Sequence, residues 1–557
     1  MITLMGLLYC FSQDAAVRCE LSAADLYAGV DRQVQMAEFR PMHDATAPPM
    51  QISGTITLDS SFVRKYPQTL VRTALPAVRF HVLSDGKRLY VRERGRIIRD
   101  TSGRSTWDMI VGHGSVTLEP LDGGRLRVVL PVTLTGRVYN DARQGTLTFL
   151  IDNGQASPGF IQFSQETASW IIESYAGEVA IGWESGNGMT EAERVRWLEI
   201  ESEEYPVARL DPQHVASLRG PIARSEHSAL AVLDSGVLFH DGCPTRNGDM
   251  LQCMETRHGM YSVSKTMAGA VTLAWLAKRY GAQVYDARVV DLLNVTASHS
   301  GWNQVTLLDL LHMATGIGEA GPARIDGNMY ADENSLRQRQ YFEATSRTAK
   351  LNVAFSFGNY PWGPGEEVRY NTSHTFVLSA AIDAFVRQTE GVDVDYWDLV
   401  NADVYSRIGL GYIDIQRTLE FEGRGVPYLG TGLFLTMQEA LRLADLLLHE
   451  GVWDGMELID SALIRGGLHR DAVGQLYRGV QRPGGASYYH ASFFTEPVGC
   501  AHPVVYAAGF GGNVIALAED TAALSFTDTG YYNHVEASSW LAVHSGLCEA
   551  TVFTDPR

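Results

Sequence analysis

Short runs of alternating apolar and polar residues characterise the first part of the chain. Residues 51–58 alternate throughout, and residues 125–134 alternate in part, as β-strands with one buried face do. Turn signals, such as those at 84–87 and 122–124, separate these runs. The pattern predicts an all-β accessory domain over about residues 25–205, built as a sandwich or a barrel.

A mixed pattern of helices and strands begins at about residue 225. The predicted elements are a hairpin at 229–240 with its turn at 234–236, a helix at 263–276, two strands at 513–518 and 521–526, and a final helix at 535–547. Strands at both ends of this region, with helices between them, imply one sheet that is assembled from both ends. We therefore predict a linker at 206–224 and an α/β (α+β) domain at 225–557.

The chain begins with an apolar segment, residues 1–11, that lacks Lys and Arg. A signal-peptidase site is poor here, because Asp14 would occupy the third position before the cut. Residues 1–24 are therefore interpreted either as the remnant of an export signal or as a buried first strand. No later run reaches about 18 apolar residues, so we expect no membrane span.

The composition is that of a globular protein with ample apolar material for large cores. Of the 557 residues, 45% are hydrophobic and 20% are charged, so long disordered stretches are not expected. The formal net charge of −19 repels nucleic acids and anionic membrane surfaces, and neither is an expected partner.

Cysteine usage leaves the cellular compartment open. The six cysteines are Cys10, Cys19, Cys243, Cys253, Cys500 and Cys548. None forms a CxxC pair, so a zinc knuckle or a thioredoxin-type site has no support. The alternatives are six free thiols, or bridges between Cys243 and Cys253 and between Cys500 and Cys548.

The strongest local motif is Ser262-x-x-Lys265, which opens the predicted helix at 263–276. Residues three apart share one face of a helix, so a serine nucleophile and a lysine base would come from one rigid turn. The lysine acts as a base only if burial or a nearby positive charge lowers its pKa. Alternatively, Ser262 caps the helix and Lys265 lies on the surface. Ser84 and Lys87 have the same spacing but flank a predicted turn, and we interpret that copy as accidental.

Residues 225–545 contain five motifs in a fixed order. They are 262–265, the segment 305–316, the Gly-Pro-Gly run and tyrosine at 363–371, the helix and turn at 432–448 and 451–455, and the glycine-rich segment 509–512. In kind and order they resemble the motifs of the serine β-lactamase and penicillin-binding protein family, specifically its class C-like esterase and amidohydrolase branch. The resemblance implies a β-lactamase/transpeptidase-like catalytic domain, with an antiparallel sheet flanked by helices, that uses no metal or organic cofactor.

The resemblance also implies roles for individual residues. Ser262 would attack the substrate carbonyl, Lys265 would take the serine proton, and Tyr370 would relay a proton to the leaving group. The backbone N–H groups of Ser262 and Phe510 would form the oxyanion hole. The implied substrate-binding residues are Asn371, Thr372, Gly509 and Gly511. Taken alone, Tyr370 would be interpreted as a core tyrosine.

Two positions depart from the β-lactamase pattern. Thr372 stands where the second motif normally has Asn, and Ala507 stands where the third motif normally begins with Lys or His. Alanine at this position removes the cation that would help to bind a penicillin carboxylate. The departures favour a Ser/Lys/Tyr amidase or esterase over a β-lactamase.

An insert at about residues 319–362 is rich in aromatic side chains. They are Tyr330, Tyr341, Phe342, Phe355, Phe357, Tyr360 and Trp362. These side chains would either line a substrate cleft or form the small core of a long lid. We expect the core role for at least half of them.

These observations predict a serine hydrolase that cleaves an amide or peptide bond, with linear peptides containing non-standard or D-residues as the expected substrates. A carboxylesterase acting on a small ester, and a catalytically silent binding or sensor protein on the same fold, stay open as alternatives. The sequence lacks HExxH and GxSxG motifs, so a metalloprotease and an α/β-hydrolase are not expected. Family habit and the even cysteine count favour a periplasmic or secreted protein over a cytoplasmic one. The oligomeric state stays open.

Overall fold

The chain folds around two large β-sheets. The first contains ten strands from residues 53–185, and the second contains nine strands from residues 207–527. This computed structural model describes residues 21–30, 32–41, 45–47, 51–66, 74–86, 88–138, 141–166, 175–319, 329–469, 477–482, 485–496, 498, 504–531 and 533–547.

The first sheet closes on itself. Its strands are β1 (Ser53–Tyr66), β2 (Val78–Ser84), β3 (Arg88–Val91), β4 (Trp107–Val111), β5 (Gly114–Leu118), β6 (Leu126–Gly136), β7 (Ala142–Asp152), β8 (Gln155–Ala156), β9 (Gly159–Glu166) and β10 (Tyr175–Ser185). Strands β1, β2, β3, β5, β6, β7, β9 and β10 pair antiparallel in this order, and β10 pairs back with β1. The predicted all-β region is therefore a closed barrel rather than a sandwich.

Alternation of side chains along the strands fills the barrel. Ile56 and Leu58 are fully buried, whereas Thr57 between them is exposed, as expected where one face of a strand is covered. Phe80 and Phe149 belong to the same continuous apolar cluster. Burial of this surface stabilises the barrel by roughly 25 cal/mol per Å².

The second sheet combines strands from both ends of its chain segment. Its strands are β11 (Val207–Arg209), β12 (His227–Asp234), β13 (Val237–His240), β14 (Tyr477–Arg482), β15 (Gly485–His490), β16 (Phe493–Glu496), β17 (Val504–Gly509), β18 (Asn513–Ala518) and β19 (Thr521–Thr527). Their order is β11-β13-β12-β19-β18-β17-β16-β15-β14, and β12 pairs antiparallel with β19. The predicted assembly from both ends is confirmed.

One edge pair of this sheet is not antiparallel. Strand β11 runs parallel to β13, because the chain crosses between them through the helix Pro212–Arg219 and strand β12. Residues 206–224, predicted as a linker, thus contain a strand and a helix. The domain boundaries themselves stay a prediction.

Helices cover both faces of the second sheet. The α-helices of the described residues are α1 (Ala23–Ala28), α2 (Glu191–Ser202), α3 (Pro212–Arg219), α4 (Val271–Tyr280), α5 (Val289–Leu292), α6 (Leu307–His312), α7 (Leu336–Glu343), α8 (Arg347–Phe355), α9 (Thr372–Glu390), α10 (Tyr396–Val400), α11 (Met437–Leu448), α12 (Ser461–Gly467) and α13 (His534–His544). Helix α13 packs on one face, where Leu230 and Val232 point, and α11 packs on the other, where Ala229 and Ala231 point. The predicted architecture, an antiparallel sheet flanked by helices and preceded by an all-β region, is confirmed.

Most predicted elements of the second region occur close to their expected positions. The hairpin at 229–240 and both late strands are present. The helix predicted at 263–276 continues to Tyr280 and includes a π-helical segment at Lys265–Ala270. The final helix ends at His544, three residues before the predicted end.

A disulfide joins Cys243 and Cys253, whose Cα atoms lie 5.3 Å apart. This bridge resolves the alternatives for that pair. The other four cysteines and residues 1–20 lie outside the described residues. Within the described part of the chain, no helix has both the length and the apolar character needed to cross a bilayer.

Candidate active site

A tight turn positions Ser262 directly before the helix that follows it. The N–H of Val263 donates to the carbonyl of Met260 at 3.0 Å, and the N–H of Lys265 donates to that of Ser262 at 3.0 Å. Such bonds across three residues place side chains i and i+3 above one another. Tyr261 enters the turn with φ of 44°, a conformation that costs a non-glycine residue energy and recurs at functional sites.

Lys265 contacts the serine as this local geometry requires. Its Nζ lies 2.7 Å from Ser262 Oγ, and it also donates to Thr372 Oγ1 at 2.9 Å and to the Gly430 carbonyl at 3.2 Å. The side chain is almost fully buried. Burial lowers the pKa of Lys265 to about 8, while the negative charge of Glu333 opposes that shift. The sequence motif is thus a half-buried serine hydroxyl in contact with a buried amine, and the surface-lysine alternative is excluded.

Tyr370 lies close to both Ser262 and Lys265, among aromatic rings. Its ring centroid lies 5.3 Å from that of Tyr330 and 5.8 Å from that of Tyr489. Burial raises the pKa of Tyr370 well above its usual value, although a hydrogen bond with the Ser262 side chain opposes this effect. The Lys265 Nζ is 4.8 Å from the centre of the Tyr370 ring. Tyr370 therefore stands next to the reacting pair as a neutral phenol.

The two residues after Tyr370 have different surroundings. Asn371 caps helix α9, because its side-chain oxygen accepts hydrogen bonds from the N–H and the hydroxyl of Ser373, at 3.0 and 2.6 Å. Thr372 begins the helix and contacts Lys265 directly. Thr372 thus belongs to the cluster around Ser262. The predicted substrate-binding role of Asn371, which is not among the residues that line the cavity described below, stays a prediction.

Glu333 completes the cluster and was not predicted. Its carboxylate accepts hydrogen bonds from the N–H of Thr372 at 2.7 Å and from the Thr372 hydroxyl at 2.6 Å. Burial raises the pKa of Glu333, and the positive charge of Lys265 opposes this effect. Glu333 therefore acts on the lysine both through the threonine hydroxyl and through its charge.

The glycine-rich end of strand β17 packs against the nucleophile turn. A Cβ on Gly509 would lie 2.5 Å from the Met260 carbonyl oxygen and 3.2 Å from the Ser262 nitrogen, so only glycine fits there. Phe510 follows, and its ring lies 6.0 Å from that of Tyr261.

Gly511 contacts the neighbouring strand β19. Its carbonyl accepts a hydrogen bond from Thr527 Oγ1 at 2.6 Å. The strand end thus brings the backbone of Gly509 to Ser262, and the predicted oxyanion-hole role of the Phe510 N–H stays a prediction. The predicted substrate-binding role of Gly511 stays a prediction.

Ser262 opens into a cavity of about 510 Å³, within the range of about 300–1,000 Å³ that is usual for small-molecule sites. The lining residues are Asp141, Tyr261, Ser262, Glu333, Asn334, Ser335, Arg339, Phe342, Thr431 and Phe510. Of the predicted site residues, Ser262 and Phe510 line it, while Lys265 and Tyr370 are buried next to Ser262. No sequence pattern indicated Asp141, which directly precedes strand β7 of the barrel, or Glu333, which is one of two adjacent acids in the insert.

The aromatic side chains of the insert divide between two roles. Tyr341, Phe355, Phe357 and Tyr360 are buried, whereas Phe342 lines the cavity. Four of the seven rings are therefore buried, three of them in the main apolar core of the second region, and Phe342 faces the serine cavity.

Ala507, at the position where the third motif normally begins with Lys or His, supplies no cation to the cluster around Ser262. Ala507 is fully buried and packs in the apolar core beneath the sheet. Among the described residues, no group of three His, Cys, Asp or Glu side chains is arranged to hold a metal ion. What the arrangement can supply is a serine hydroxyl, an amine of lowered pKa and a neutral phenol at one end of a cavity.

No protein-family model and no curated protein matches the chain. Solved structures resemble part of it. A Bacillus anthracis protein assigned as a 6-aminohexanoate-dimer hydrolase is 14% identical, with a TM-score of 0.47, over 63% of this chain and 94% of its own. A penicillin-binding protein homologue from Caulobacter crescentus is 16% identical, with a TM-score of 0.43, over 61% of this chain and 99% of its own.

A D-stereospecific amidohydrolase from Streptomyces sp. is 14% identical, with a TM-score of 0.40, over 60% of this chain and 98% of its own. These likenesses add no roles for the residues of the cavity.

Proposed function

We propose that the protein is a serine hydrolase that cleaves an amide or peptide bond through an acyl-enzyme on Ser262. The observation that carries this proposal is the 2.7 Å contact between Lys265 Nζ and Ser262 Oγ, in combination with a lysine pKa of about 8. A neutral amine at this distance is an effective base, because its pKa lies near the working pH. The contact is made at the wall of a cavity that admits a substrate.

The acylation step follows from the positions of three side chains. Neutral Lys265 takes the proton of Ser262 while the Oγ–carbon bond forms and the carbonyl oxygen becomes an oxyanion. The N–H groups of Ser262 and Phe510 stabilise this charge. As the carbon–nitrogen bond breaks, the proton passes from Lys265 through the Tyr370 hydroxyl to the leaving amine. Water then hydrolyses the acyl ester and returns a proton to the site.

A more specific proposal concerns the class of substrate. Linear peptides with non-standard or D-configured residues, such as linearised microcystin, are the proposed class. The support for this class is the similarity of the chain in length and layout to the bacterial hydrolase that cleaves linearised microcystin. The absence of a cation at Ala507 makes a penicillin carboxylate a poor ligand. A carboxylesterase is the second candidate, because an ester needs the same base and nucleophile.

We also propose that the protein works in an oxidising compartment, the periplasm or the cell exterior. The Cys243–Cys253 disulfide supports this location, because such bridges persist mainly outside the reducing cytosol. A cytoplasmic location remains the alternative.

Intact-mass spectrometry after treatment with a fluorophosphonate tests the nucleophile. Wild type should gain one adduct, Ser262→Ala should gain none, and Lys265→Ala should react slowly. Ser84→Ala is the matched control, because Ser84 begins the other Ser-x-x-Lys spacing but its hydroxyl accepts a hydrogen bond from the Ile52 N–H. It should label like wild type.

Folded wild-type protein that gains no adduct would contradict the proposal and leave a silent binding protein in its place. A p-nitrophenyl ester and a panel of peptides containing L- and D-residues then separate esterase from amidase activity. Turnover of the ester with no cleavage of any peptide would favour the carboxylesterase.

A further inference from the structure

A hairpin of the N-terminal barrel reaches the cavity that holds Ser262. Strands β6 and β7 pair along their length, from Thr135 with Ala142 to Leu126 with Ile151. Asp141 directly precedes β7 and lines the cavity. The barrel thus contributes a carboxylate to a site that is otherwise built by residues 261–510.

Contacts with the second region fix the position of this hairpin. Gln144 donates a hydrogen bond to the carbonyl of Arg257 at 3.0 Å, five residues before Ser262. Gln416 donates to the hydroxyl of Thr135 at 3.2 Å. Ala142 packs in a small buried cluster with Phe434. Asp141 is therefore held in place by contacts on both strands of the hairpin.

The two carboxylates in the cavity wall differ in what they bind. Both oxygens of Glu333 accept hydrogen bonds from Thr372. Among the described residues, by contrast, no side chain forms an ion pair or a hydrogen bond with the Asp141 carboxylate. Burial raises the pKa of Asp141 to about 6, and Arg143 opposes this shift, so the group is mainly ionised at neutral pH. An ionised, partly buried carboxylate is costly unless a cation pairs with it.

The opposite strand leaves room for this carboxylate. A Cβ on Gly136 would lie 1.9 Å from Oδ1 of Asp141, so the side chain packs directly over the bare Cα of the glycine. The N–H of Gly136 donates to the Asp141 carbonyl at 2.8 Å. Glycine at 136 therefore allows the carboxylate to occupy its place at the cavity wall.

We propose that Asp141 is a specificity residue that binds a positively charged ammonium group of the substrate, and that the preferred substrates are amides or peptides carrying such a group. This inference rests on the proposed hydrolase function, because it concerns the same cavity. A free amino terminus and a basic side chain present the same chemistry. Asp141 would form with either of them a charge-assisted hydrogen bond in a partly desolvated site, where such bonds are strongest.

Calorimetric binding of two matched probe pairs tests the proposal. One pair is alanyl-alanine amide and its N-acetyl derivative, and the other is Nα-acetyl-lysine amide and Nα-acetyl-norleucine amide. Within each pair, the main change is the loss of the ammonium charge. Binding is measured on full-length Ser262→Ala protein, which cannot turn the probes over, with and without Asp141→Asn.

Asp152→Asn is the matched control, because Asp152 lies at the other end of the same strand and pairs with Arg125. At least one ammonium probe should bind about tenfold or more tightly than its neutral partner. Asp141→Asn should abolish this difference and Asp152→Asn should preserve it. The probe pair whose two members bind with different affinities shows whether the ammonium group is a free amino terminus or a basic side chain.

Equal binding within both pairs, including no binding at the solubility limit, would overturn the proposal, and so would discrimination that survives Asp141→Asn. The fluorophosphonate reaction keeps this result separate from the proposed function. Absence of labelling in wild type would contradict the hydrolase and leave the calorimetric result to decide the ammonium site.

Discussion

The hydroxyl of Thr372 links the Glu333 carboxylate to the Lys265 amine. It donates to Glu333 Oε1 at 2.6 Å and accepts from Lys265 Nζ at 2.9 Å. A threonine hydroxyl carries one proton and two lone pairs, so it can make both bonds at once. The position that departs from the Asn of the β-lactamase motif thus joins a carboxylate to the proposed base.

Replacement of Glu333 by Gln should move the pH dependence of the reaction. The negative charge of Glu333 raises the pKa of Lys265, so its removal should lower that pKa and shift the acid limb of the kcat/KM profile to lower pH. Glu319→Gln is the control, since Glu319 contacts Arg337 on the same insert. A lower rate with an unmoved limb would show that Glu333 only maintains the local structure.

The rate at which wild type reacts with a fluorophosphonate should increase as the pH rises through about 8, which gives the rate profile an acid limb. Lys265 takes the serine proton only when it is neutral, and its pKa is about 8. Lys265→Ala should lower the labelling rate by about 10²–10⁴-fold and remove this limb, whereas Lys278→Ala, which removes an exposed lysine, should change neither. A wild-type limb near pH 6 would exclude Lys265 as the base.

Tyr370→Phe should separate amide from ester cleavage. Leaving amines need a proton, which the Tyr370 hydroxyl is proposed to relay, whereas p-nitrophenolate leaves without one. We expect a loss of about 10²-fold or more for an amide substrate and of less than about tenfold for a p-nitrophenyl ester. Steady-state rates on both substrates measure the difference, and equal losses would indicate a general packing defect.

Acid should destabilise the protein through its buried histidines. Burial lowers the pKa of His258 to about 3, so below about pH 6.5 the unfolded chain binds a proton that the native protein does not. Stability should therefore fall as the pH decreases from 6.5 towards 3, by about 1.4 kcal/mol per pH unit for such a residue.

His258→Phe should reduce this slope, because it removes the titrating imidazole. Phenylalanine should fit at this position, since the His258 ring already packs 5.7 Å from that of Phe526. His449→Gln, which changes an exposed histidine, should leave the slope unchanged. Urea midpoints between pH 5 and 7 give the slopes. Identical slopes for His258→Phe and wild type would contradict the assignment.

Local patterns predicted a large part of the fold. Alternation in β1 and β6, the turn at 234–236 and the apolar run of the helix after Ser262 depend on neighbours within a few residues. The same is true of the Ser262–Lys265 pair, because its geometry follows from one tight turn. The π-helical segment at Lys265–Ala270 and the parallel pairing of β11 depend on packing with distant elements, and the sequence did not indicate them.

By itself, the sequence determined that a β-rich region precedes a mixed region of helices and strands, that Ser262 and Lys265 form a pair, and that the motif order points to Tyr370. Only the tertiary structure decided that Glu333 bonds Thr372, that Gly509 lies against Ser262 and that Asp141 lines the cavity. In each of these contacts the partners are separated by tens to hundreds of residues. Such pairs leave no periodicity or spacing in the chain. Glu333 and Gly509 meet their partners when the second region folds, and Asp141 reaches the cavity only when the barrel packs against that region.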